Sequence, residues 1–307
     1  MNYICSLAKK SSAAILRFFR TRGGNFIPAA IKLFVAKSRA QLLYGAQLGP
    51  FSNLAIYGKI QSGFLRSLFL TPRSVSNATL RMESGLIRIE AHVWQITIST
   101  WLRLKLTPAG LLPLIFQDNY QMKWWNIIKE KLCTYGFSTE HLLAIGLEKA
   151  KDLVKQRIWD IELQNDLSQI LYIYHSPQDI QGGGPAAYLS SLTYYKYRWA
   201  FTRARYNVLP SKFTEGRYQG IPVSQRLCPC DSGEIETSSH VLLYCSFYSE
   251  ARSGLIHPLL QDFPGNTDEF YTKFLLADRN PSVTYKVAKF CHLAMRTRRH
   301  LLTSEDC

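Results

Sequence analysis

Apolar residues recur along most of this chain at the spacing of one face of an α-helix. The clearest stripe, typical of an amphipathic helix, consists of Ile87, Ala91, Trp94, Ile98 and Trp101. Comparable patterns predict helices over 117–134, 138–150, 151–173, 186–210, 247–262, 266–277 and 282–301. No stretch shows the sustained alternation of a strand ladder. The pattern therefore predicts a mainly α fold.

Proline and glycine residues separate these helical patterns. Pro28 suits the first turn of a helix, and Gly45 closes the apolar run that follows it. Ser76 is a candidate N-cap for a short helix, and Gly85 is its candidate stop. The segment 176–185, SPQDIQGGGP, has three consecutive glycines bounded by prolines and predicts a linker.

The charge of the chain is strongly positive and uneven. Its 307 residues are 47% hydrophobic, enough to build real cores, and carry a net charge of +15. Residues 1–82 contain twelve Lys/Arg and no acidic residue, and residues 181–230 contain seven Lys/Arg against Glu215 alone. Positive charge on this scale attracts polyanions, so the sequence predicts a nucleic-acid partner.

Other classes of protein fit the sequence less well. The early apolar run AAILRFF is interrupted by Arg17, so no signal peptide is expected. The longest apolar stretch, LTPAGLLPLIF, is too short to cross a bilayer. Seven scattered cysteines do not form a disulfide framework, which favours a reducing compartment in which clustered Cys and His bind metal. We expect no membrane partner and no small-molecule substrate.

Four potential metal ligands crowd into one short segment, RLCPCDSGEIETSSHVLLYCSFY. Their spacing is C-x-C-x9-H-x4-C, and the residues are Cys228, Cys230, His240 and Cys245. Structural zinc sites use four Cys or His ligands, so this set predicts one structural Zn²⁺. A single residue between the first two cysteines is closer than the usual zinc spacing. Two ordinary cysteines with a core histidine remain the alternative.

Basic and aromatic residues interleave just before this cluster. Lys196, Arg198, Arg203 and Arg205 alternate with tyrosines, Trp199 and Phe201. Such interleaving suits single-stranded nucleic acid, because aromatics stack on bases and cations hold phosphates. The alternative is a buried aromatic stripe, and we expect most aromatics to be core and the cations to be the contacts. The predicted nucleic-acid contacts are Lys196, Arg198, Arg203, Arg205, Lys212 and Arg217.

Three segments together resemble a known family. Residues 191–248, SLTYYKYRWAFTRARYNVLPSKFTEGRYQGIPVSQRLCPCDSGEIETSSHVLLYCSFY, resemble the C-terminal region of vertebrate LINE-type (non-LTR) retrotransposon polyproteins. Residues 56–94 look like the helical connector after the polymerase thumb, and FIPAAIKLFVAKSRAQLLYGAQL resembles the end of the thumb. The flanking FTRARYN and EGRY, with the Cys/His set, are the most specific part.

The resemblance implies a zinc knuckle that grips template RNA or target DNA during reverse transcription. It places the zinc ligands on Cys228, Cys230, His240 and Cys245. A polymerase would need adjacent aspartates to hold two metal ions, and this chain has no Asp-Asp pair, so we expect no enzyme activity. Because Met1 falls in the thumb-like region, we expect a truncated or internally started reading frame.

Two hypotheses of different classes follow. The first is a non-catalytic nucleic-acid-binding fragment, in the nucleus or cytoplasm as a ribonucleoprotein, with RNA, single-stranded or target DNA, and a full-length LINE polymerase as partners. The second is a helical structural or interaction protein whose basic first 50 residues, acid-free like a mitochondrial presequence, direct it elsewhere. The expected segments are a thumb-like region 1–50, a connector 51–175, a linker 176–185, a basic helix with the zinc knuckle 186–262, and C-terminal helices 263–307.

Overall fold

The protein is mainly helical in the computed structural model, which describes residues 2–21, 27–46, 54–107, 121–170 and 184–305. This confirms the predicted fold class. Within those ranges, the β-pairing is confined to one antiparallel bridge between Leu227 and Ile235. A π-helical turn at Phe34–Arg39 joins the helices Ile27–Leu33 and Ala40–Leu42. The helices are α1 (Asn2–Thr21), α2 (Ile27–Leu33), α3 (Ala40–Leu42), α4 (Ala55–Phe69), α5 (Asn77–Ser84), α6 (Ile89–Leu106), α7 (Gln121–Thr134), α8 (Thr139–Ala144), α9 (Leu147–Ser168), α10 (Tyr188–Ser191), α11 (Tyr195–Arg205), α12 (Lys212–Tyr218), α13 (Ser238–Leu243), α14 (Ser249–Leu255), α15 (His257–Leu260), α16 (Asp268–Leu276) and α17 (Pro281–Glu305).

The predicted helix signals act as expected where the structure describes them. Ser76 caps α5 by accepting a hydrogen bond from the Thr79 amide at 3.0 Å. Gly85 ends that helix in the left-handed conformation, with φ of 67°. Among the described residues, no helix combines the length and the apolarity needed to cross a membrane.

Helix boundaries differ from the predictions in several places. The boundary predicted between 138–150 and 151–173 lies inside α9, and the helix predicted over 247–262 is α14 and α15. The sequence pattern gave no prediction for α1, which spans Asn2–Thr21. The helix expected over 186–210 is two helices, α10 and α11, because Leu192 is extended with ψ of 90°. The Leu192 carbonyl instead accepts a hydrogen bond from Arg198 Nη1 at 2.9 Å. A buried arginine therefore satisfies the carbonyl at which α10 ends.

Two compact units make up the chain, and each is assembled from separated segments. The first unit comprises 1–15, 32–64 and 87–169, and the second comprises 16–31, 65–86 and 170–307. The predicted segments 186–262 and 263–307 thus belong to one unit. Most of the predicted linker 176–185 lies outside the described residues.

The core of the first unit forms where α6 packs against α7, α8 and α9. Trp101, Leu102, Leu132 and Ile158 are all almost fully buried there. A buried glutamine fixes the start of α6: Gln61 Nε2 donates to the Ile87 carbonyl at 2.9 Å, and its Oε1 accepts from the Ile89 amide at 3.1 Å. One side chain thereby pairs the first N–H of α6, which has no partner inside the helix, and also the carbonyl of Ile87 just before the helix.

An ion pair lies in the core of the second unit. Arg205 on α11 donates to Glu83 Oε1 on α5 through Nη2 at 2.6 Å and through Nε at 3.1 Å. The side chains are 1% and 2% exposed. Arg205 also donates to the Leu276 carbonyl at the end of α16. A single guanidinium therefore joins three helices.

A histidine in the first unit is held in its neutral form. Arg39 Nη1 lies 2.9 Å from His92 Nε2, and an arginine can only donate, so Nε2 accepts. His92 Nδ1 then carries the proton and donates to Gln95 Oε1 at 3.0 Å. Burial, followed by the charge of Arg39, lowers the pKa of His92 from 6.5 to about 4.

This environment predicts a specific loss of stability in acid. Because the folded pKa of His92 lies below its unfolded value, the contribution to stability is complete above pH 6.5 and is lost as the pH falls toward 4. Relative to His92→Gln, the wild type should lose about 2 to 3 kcal/mol of unfolding free energy between pH 7 and 4.5. Denaturant unfolding of both proteins across this range measures the difference. Parallel pH profiles would contradict the assignment.

The Glu83–Arg205 pair predicts a large effect of a nearly isosteric change. Glu83→Gln removes the carboxylate that pairs directly with the buried Arg205, so the unfolding free energy should fall by about 3 to 5 kcal/mol. The control is Glu148→Gln, because the Glu148 side chain is 79% exposed in its pair with Lys151 and should contribute under about 1 kcal/mol. Denaturant unfolding compares the two variants. Equal effects would show that the buried pair is not a main support of the second unit.

Candidate metal centre

The four predicted ligands come together at one point in the second unit. One ligand atom from each of Cys228, Cys230, His240 and Cys245 lies within 4.8 Å of all the others. The sulfurs of Cys228 and Cys245 are 3.7 Å apart, and Cys230 Sγ is 3.4 Å from His240 Nε2. Cys228, His240 and Cys245 are buried, and Cys230 is partly exposed. This group could hold a metal ion.

A tight turn supplies the first two ligands. The Leu227–Ile235 bridge closes its base, where the Cys228 amide donates to the Glu234 carbonyl at 2.8 Å. Asp231 and Gly233 reverse the chain with positive φ angles of 58° and 71°. The turn folds back directly after Cys230, which brings both thiols of the C-x-C pair toward the same point.

A short helix and its exit supply the other two ligands. Thr237 caps α13 by accepting from the His240 amide at 3.1 Å, so His240 lies in the first turn. The Cys245 amide donates to the His240 carbonyl at 2.9 Å, just past the last turn of the helix. Five residues along this path place the imidazole and the thiol on the same side.

A buried arginine fixes the second pair. Arg252 on α14 donates to the carbonyls of Cys245, Val241 and Leu242 at 2.7, 3.1 and 3.0 Å. The carbonyls of Val241 and Leu242 are in the last turn of α13 and have no partner in the helix, and Cys245 follows just after it. The guanidinium thereby holds the backbone of a ligand and brings a positive charge close to the thiols.

The three thiols differ in acidity. Burial raises the pKa of Cys228 and of Cys245. Burial also acts to raise the pKa of Cys230, but hydrogen bonds from the Ser232 side chain and backbone, together with Cys228 and His240, lower it to about 6. Cys230 is therefore the thiol that ionises most readily without a metal.

A second buried ion pair connects this region to the C-terminal helix. Arg298 on α17 donates to Glu236 Oε1, and the Lys212 amide donates to Glu236 Oε2 at 2.6 Å. Glu236 is fully buried and Arg298 is 3% exposed. Since Glu236 lies between the two candidate ligand pairs in the sequence, the segment that carries them is held against the C-terminal helix as part of the second unit.

The predicted nucleic-acid contacts do not form one set. Lys196, Lys212 and Arg217 are exposed, and Arg203 is half-buried. Arg205 is paired with Glu83, and Arg198 is 5% exposed and donates to the Leu192 carbonyl. Arg205 has its charge taken up inside the second unit, so assigning it as an exposed contact was wrong. Arg198 is nearly as buried and is used within the fold, although it also lines an apolar cavity of the same unit. The two arginines lie seven residues apart, two helical turns, and share the inner face of α11.

Some aromatic residues in and just before α11 are buried, and others are exposed. Phe201 is fully buried, as expected for core. Tyr194 and Tyr195 are 45% and 51% exposed, and Trp199 is half-buried. The expectation that most aromatics are core and all cations are surface therefore holds only in part, because the phase of the helix places two arginines inside.

Sequence reasoning missed the residues that support the site. Arg252, Glu236 and Arg298 are separated from their partners by up to 83 residues. Nothing in the spacing of an isolated Glu or Arg indicates such pairing. For the other buried ion pair, between Glu83 and Arg205, one signal was present. Glu83 is the first acidic residue of the chain, after 82 residues without one.

Comparison with known proteins adds no relative to these observations. No family model, no curated protein and no solved structure matches the chain. The resemblance to LINE polyproteins stays a prediction that depends on the residues quoted above.

Proposed function

We propose that this chain is a non-catalytic, nucleic-acid-binding protein derived from a LINE-type reverse transcriptase, folded around one structural zinc. The observation that carries the proposal is the Cys228, Cys230, His240 and Cys245 cluster. The strongly basic composition supports a polyanionic partner. The sequence has no adjacent aspartates, which supports the non-catalytic part.

The distances in the cluster support zinc. A tetrahedral ion with Zn–S bonds of about 2.3 Å and Zn–N bonds of about 2.1 Å separates two sulfurs by about 3.8 Å, and sulfur from nitrogen by about 3.6 Å. The corresponding distances here are 3.7 and 3.4 Å. Soft thiolate ligands with an imidazole suit zinc, and four protein ligands leave no open position for a substrate. The role we propose for the ion is structural.

Charge balance supports the same assignment. Three thiolates and Zn²⁺ carry a net charge of −1, which is costly to bury without a nearby cation. Arg252 is 3% exposed and holds the Cys245 carbonyl, so its charge lies beside the cluster. A bound metal would link the C-x-C turn to α13. It would act in addition to the ion pair between Glu236 and Arg298, which holds the same segment.

The first prediction from this proposal is that the purified protein contains one zinc ion per chain. Cys230→Ser removes one ligand, so it should lower the zinc content and reduce the melting temperature, since metal binding stabilises the folded state. Cys230 is the least buried of the four ligands, so its replacement disturbs little packing. The matched control is Cys133→Ser, which changes an exposed cysteine outside the cluster. Elemental analysis and thermal unfolding, each with and without chelator, give the comparison. Wild-type zinc content in Cys230→Ser would overturn the site.

The second prediction concerns nucleic acid. If Lys196, Arg203, Lys212 and Arg217 each neutralise one phosphate, log K for a single strand should fall against log salt with a slope of about −2.8. Affinity should vary little with sequence, because phosphate contacts position without specifying. Fluorescence anisotropy with labelled 12-residue RNA and DNA measures both quantities.

A peptide nucleic acid of the same sequence is the control, since it keeps the bases and lacks the phosphates. Equal binding of this neutral oligomer would show that phosphate charge is not the source of affinity. No binding of RNA or DNA at low salt would favour the second candidate, a structural or interaction protein. The burial of Arg198 and Arg205 is the observation that favours that candidate, because it gives α11 a structural role.

A further inference from the structure

A basic pocket lies between α11 and α17 of the second unit, away from the four metal ligands. It has a volume of about 850 Å³. Lys196, Trp199 and Arg203 line it from α11, and Arg296 and Arg299 line it from α17. Of these five, only Lys196 and Arg203 belong to the contacts expected from the sequence. The two helices are far apart in the chain, so the pocket exists only in the folded unit.

The residues that line this pocket favour an anion. Four of them are cations, Lys196, Arg203, Arg296 and Arg299, and no carboxylate lines the pocket within the described part of the chain. His292 lies among them, and burial followed by the charges of Lys196, Arg296 and Arg299 lowers its pKa. Several positive charges thus act on one small space, where a phosphate would be stabilised.

Aromatic surface and an arginine lie beside these charges. The guanidinium carbon of Arg203 is 4.4 Å from the centre of the Trp199 ring, in the geometry of a cation–π contact. The Nε atom of Arg203 is buried and has no hydrogen-bond partner within the described part of the chain. Unpaired bases stack on aromatic rings and on arginine planes, so this arrangement suits a base as well as a phosphate.

An apolar cavity of about 410 Å³ adjoins the basic pocket and shares Leu70, Tyr195 and Trp199 with it. Its other lining residues are mostly apolar, Phe19 and Leu68 among them, and also include two cations, Arg20 and Arg198. Both volumes fall in the range of about 300 to 1,000 Å³ typical of small-molecule sites. A ligand with a flat, weakly polar part and an anionic part would fill both compartments.

The spread of the charges selects among such ligands. Lys196 and Arg203 are separated by seven residues, or about 10 Å along α11. Arg296 and Arg299 add a further pair on the neighbouring helix. A lipid headgroup places its phosphate at one point, whereas a single strand repeats phosphates along its length and alternates them with bases.

We propose that this pocket binds a single-stranded segment of RNA or DNA, with an unpaired base against Trp199 and Tyr195 and phosphates on Lys196, Arg203, Arg296 and Arg299. The inference rests on the proposed nucleic-acid function and locates its binding surface on α11 and α17. It replaces the buried arginines of α11 with two arginines that sequence reasoning did not select.

The test uses the full chain and fluorescein-labelled 12-residue oligo-U and oligo-dT in anisotropy titrations over a range of salt. The double variant Lys196→Gln with Arg296→Gln should bind more weakly, and its salt slope should be flatter by about 1.4. Tyr195→Leu and Trp199→Leu should each weaken binding by about 5- to 150-fold with little change in slope, because stacking involves no counterion release. Tyr195 is 51% exposed, so its variant stays informative if Trp199→Leu unfolds.

The matched control is Lys129→Gln with Lys149→Gln, which removes the same charge from exposed positions of the first unit and should bind like the wild type. The comparison variant is Lys212→Gln with Arg217→Gln on α12. If that variant flattens the slope while the pocket variants bind normally, the pocket assignment is wrong and the proposed function stands.

Two further outcomes separate the remaining cases. If the wild type binds neither oligomer, the proposed function itself fails. If it binds vesicles of anionic phospholipid instead, and Lys196→Gln with Arg296→Gln abolishes that binding, the pocket serves a lipid headgroup and the single-strand assignment is overturned.

Discussion

The second unit depends on an ion pair that is almost completely removed from water. Glu83 and Arg205 are 122 residues apart in the chain, and their side chains are 2% and 1% exposed. Burying either charge alone would cost several kcal/mol, so the two must be buried together. Because Arg205 also holds the Leu276 carbonyl, the pair fixes how α5, α11 and the end of α16 meet. It therefore sets the rotation of α11 about its axis.

That rotation decides what the rest of α11 presents. With Arg205 inside, Arg198 two turns earlier is also inside, where it satisfies the Leu192 carbonyl. Lys196 and Tyr195 are then exposed, and Trp199 and Arg203 are half-exposed. α17 packs along α11 and adds its own cations to this side. One buried salt bridge thus determines which cations of α11 are buried and structural and which are exposed to a partner.

The Cys/His cluster likewise depends on both local and long-range contacts. The turn after Cys228 and the capped helix α13 each position two ligands by local backbone geometry. Arg252 and the Glu236–Arg298 pair then hold these two pieces in place from α14 and α17. A metal bound here would stabilise a segment that the second unit already grips. The proposed metal and nucleic-acid sites would both be supported by α17.

Much of this could be read from the sequence, because its signals are local. Helical periodicity, the Ser76 cap, the Gly85 stop and the spacing of Cys228 to Cys245 each depend on neighbours within a few turns, and the structure agrees with each. The phase of α11 could not be read, since aromatic and basic residues alternate on it and either face could have been the inner one. Only long-range packing determined that phase. Glu83 supplies the opposite charge for the buried Arg205 guanidinium, and the Leu276 carbonyl accepts a hydrogen bond from it; both come from elements remote in sequence. Local sequence patterns thus predicted most of the helices and the candidate metal ligands, whereas long-range packing determined which cations face the solvent.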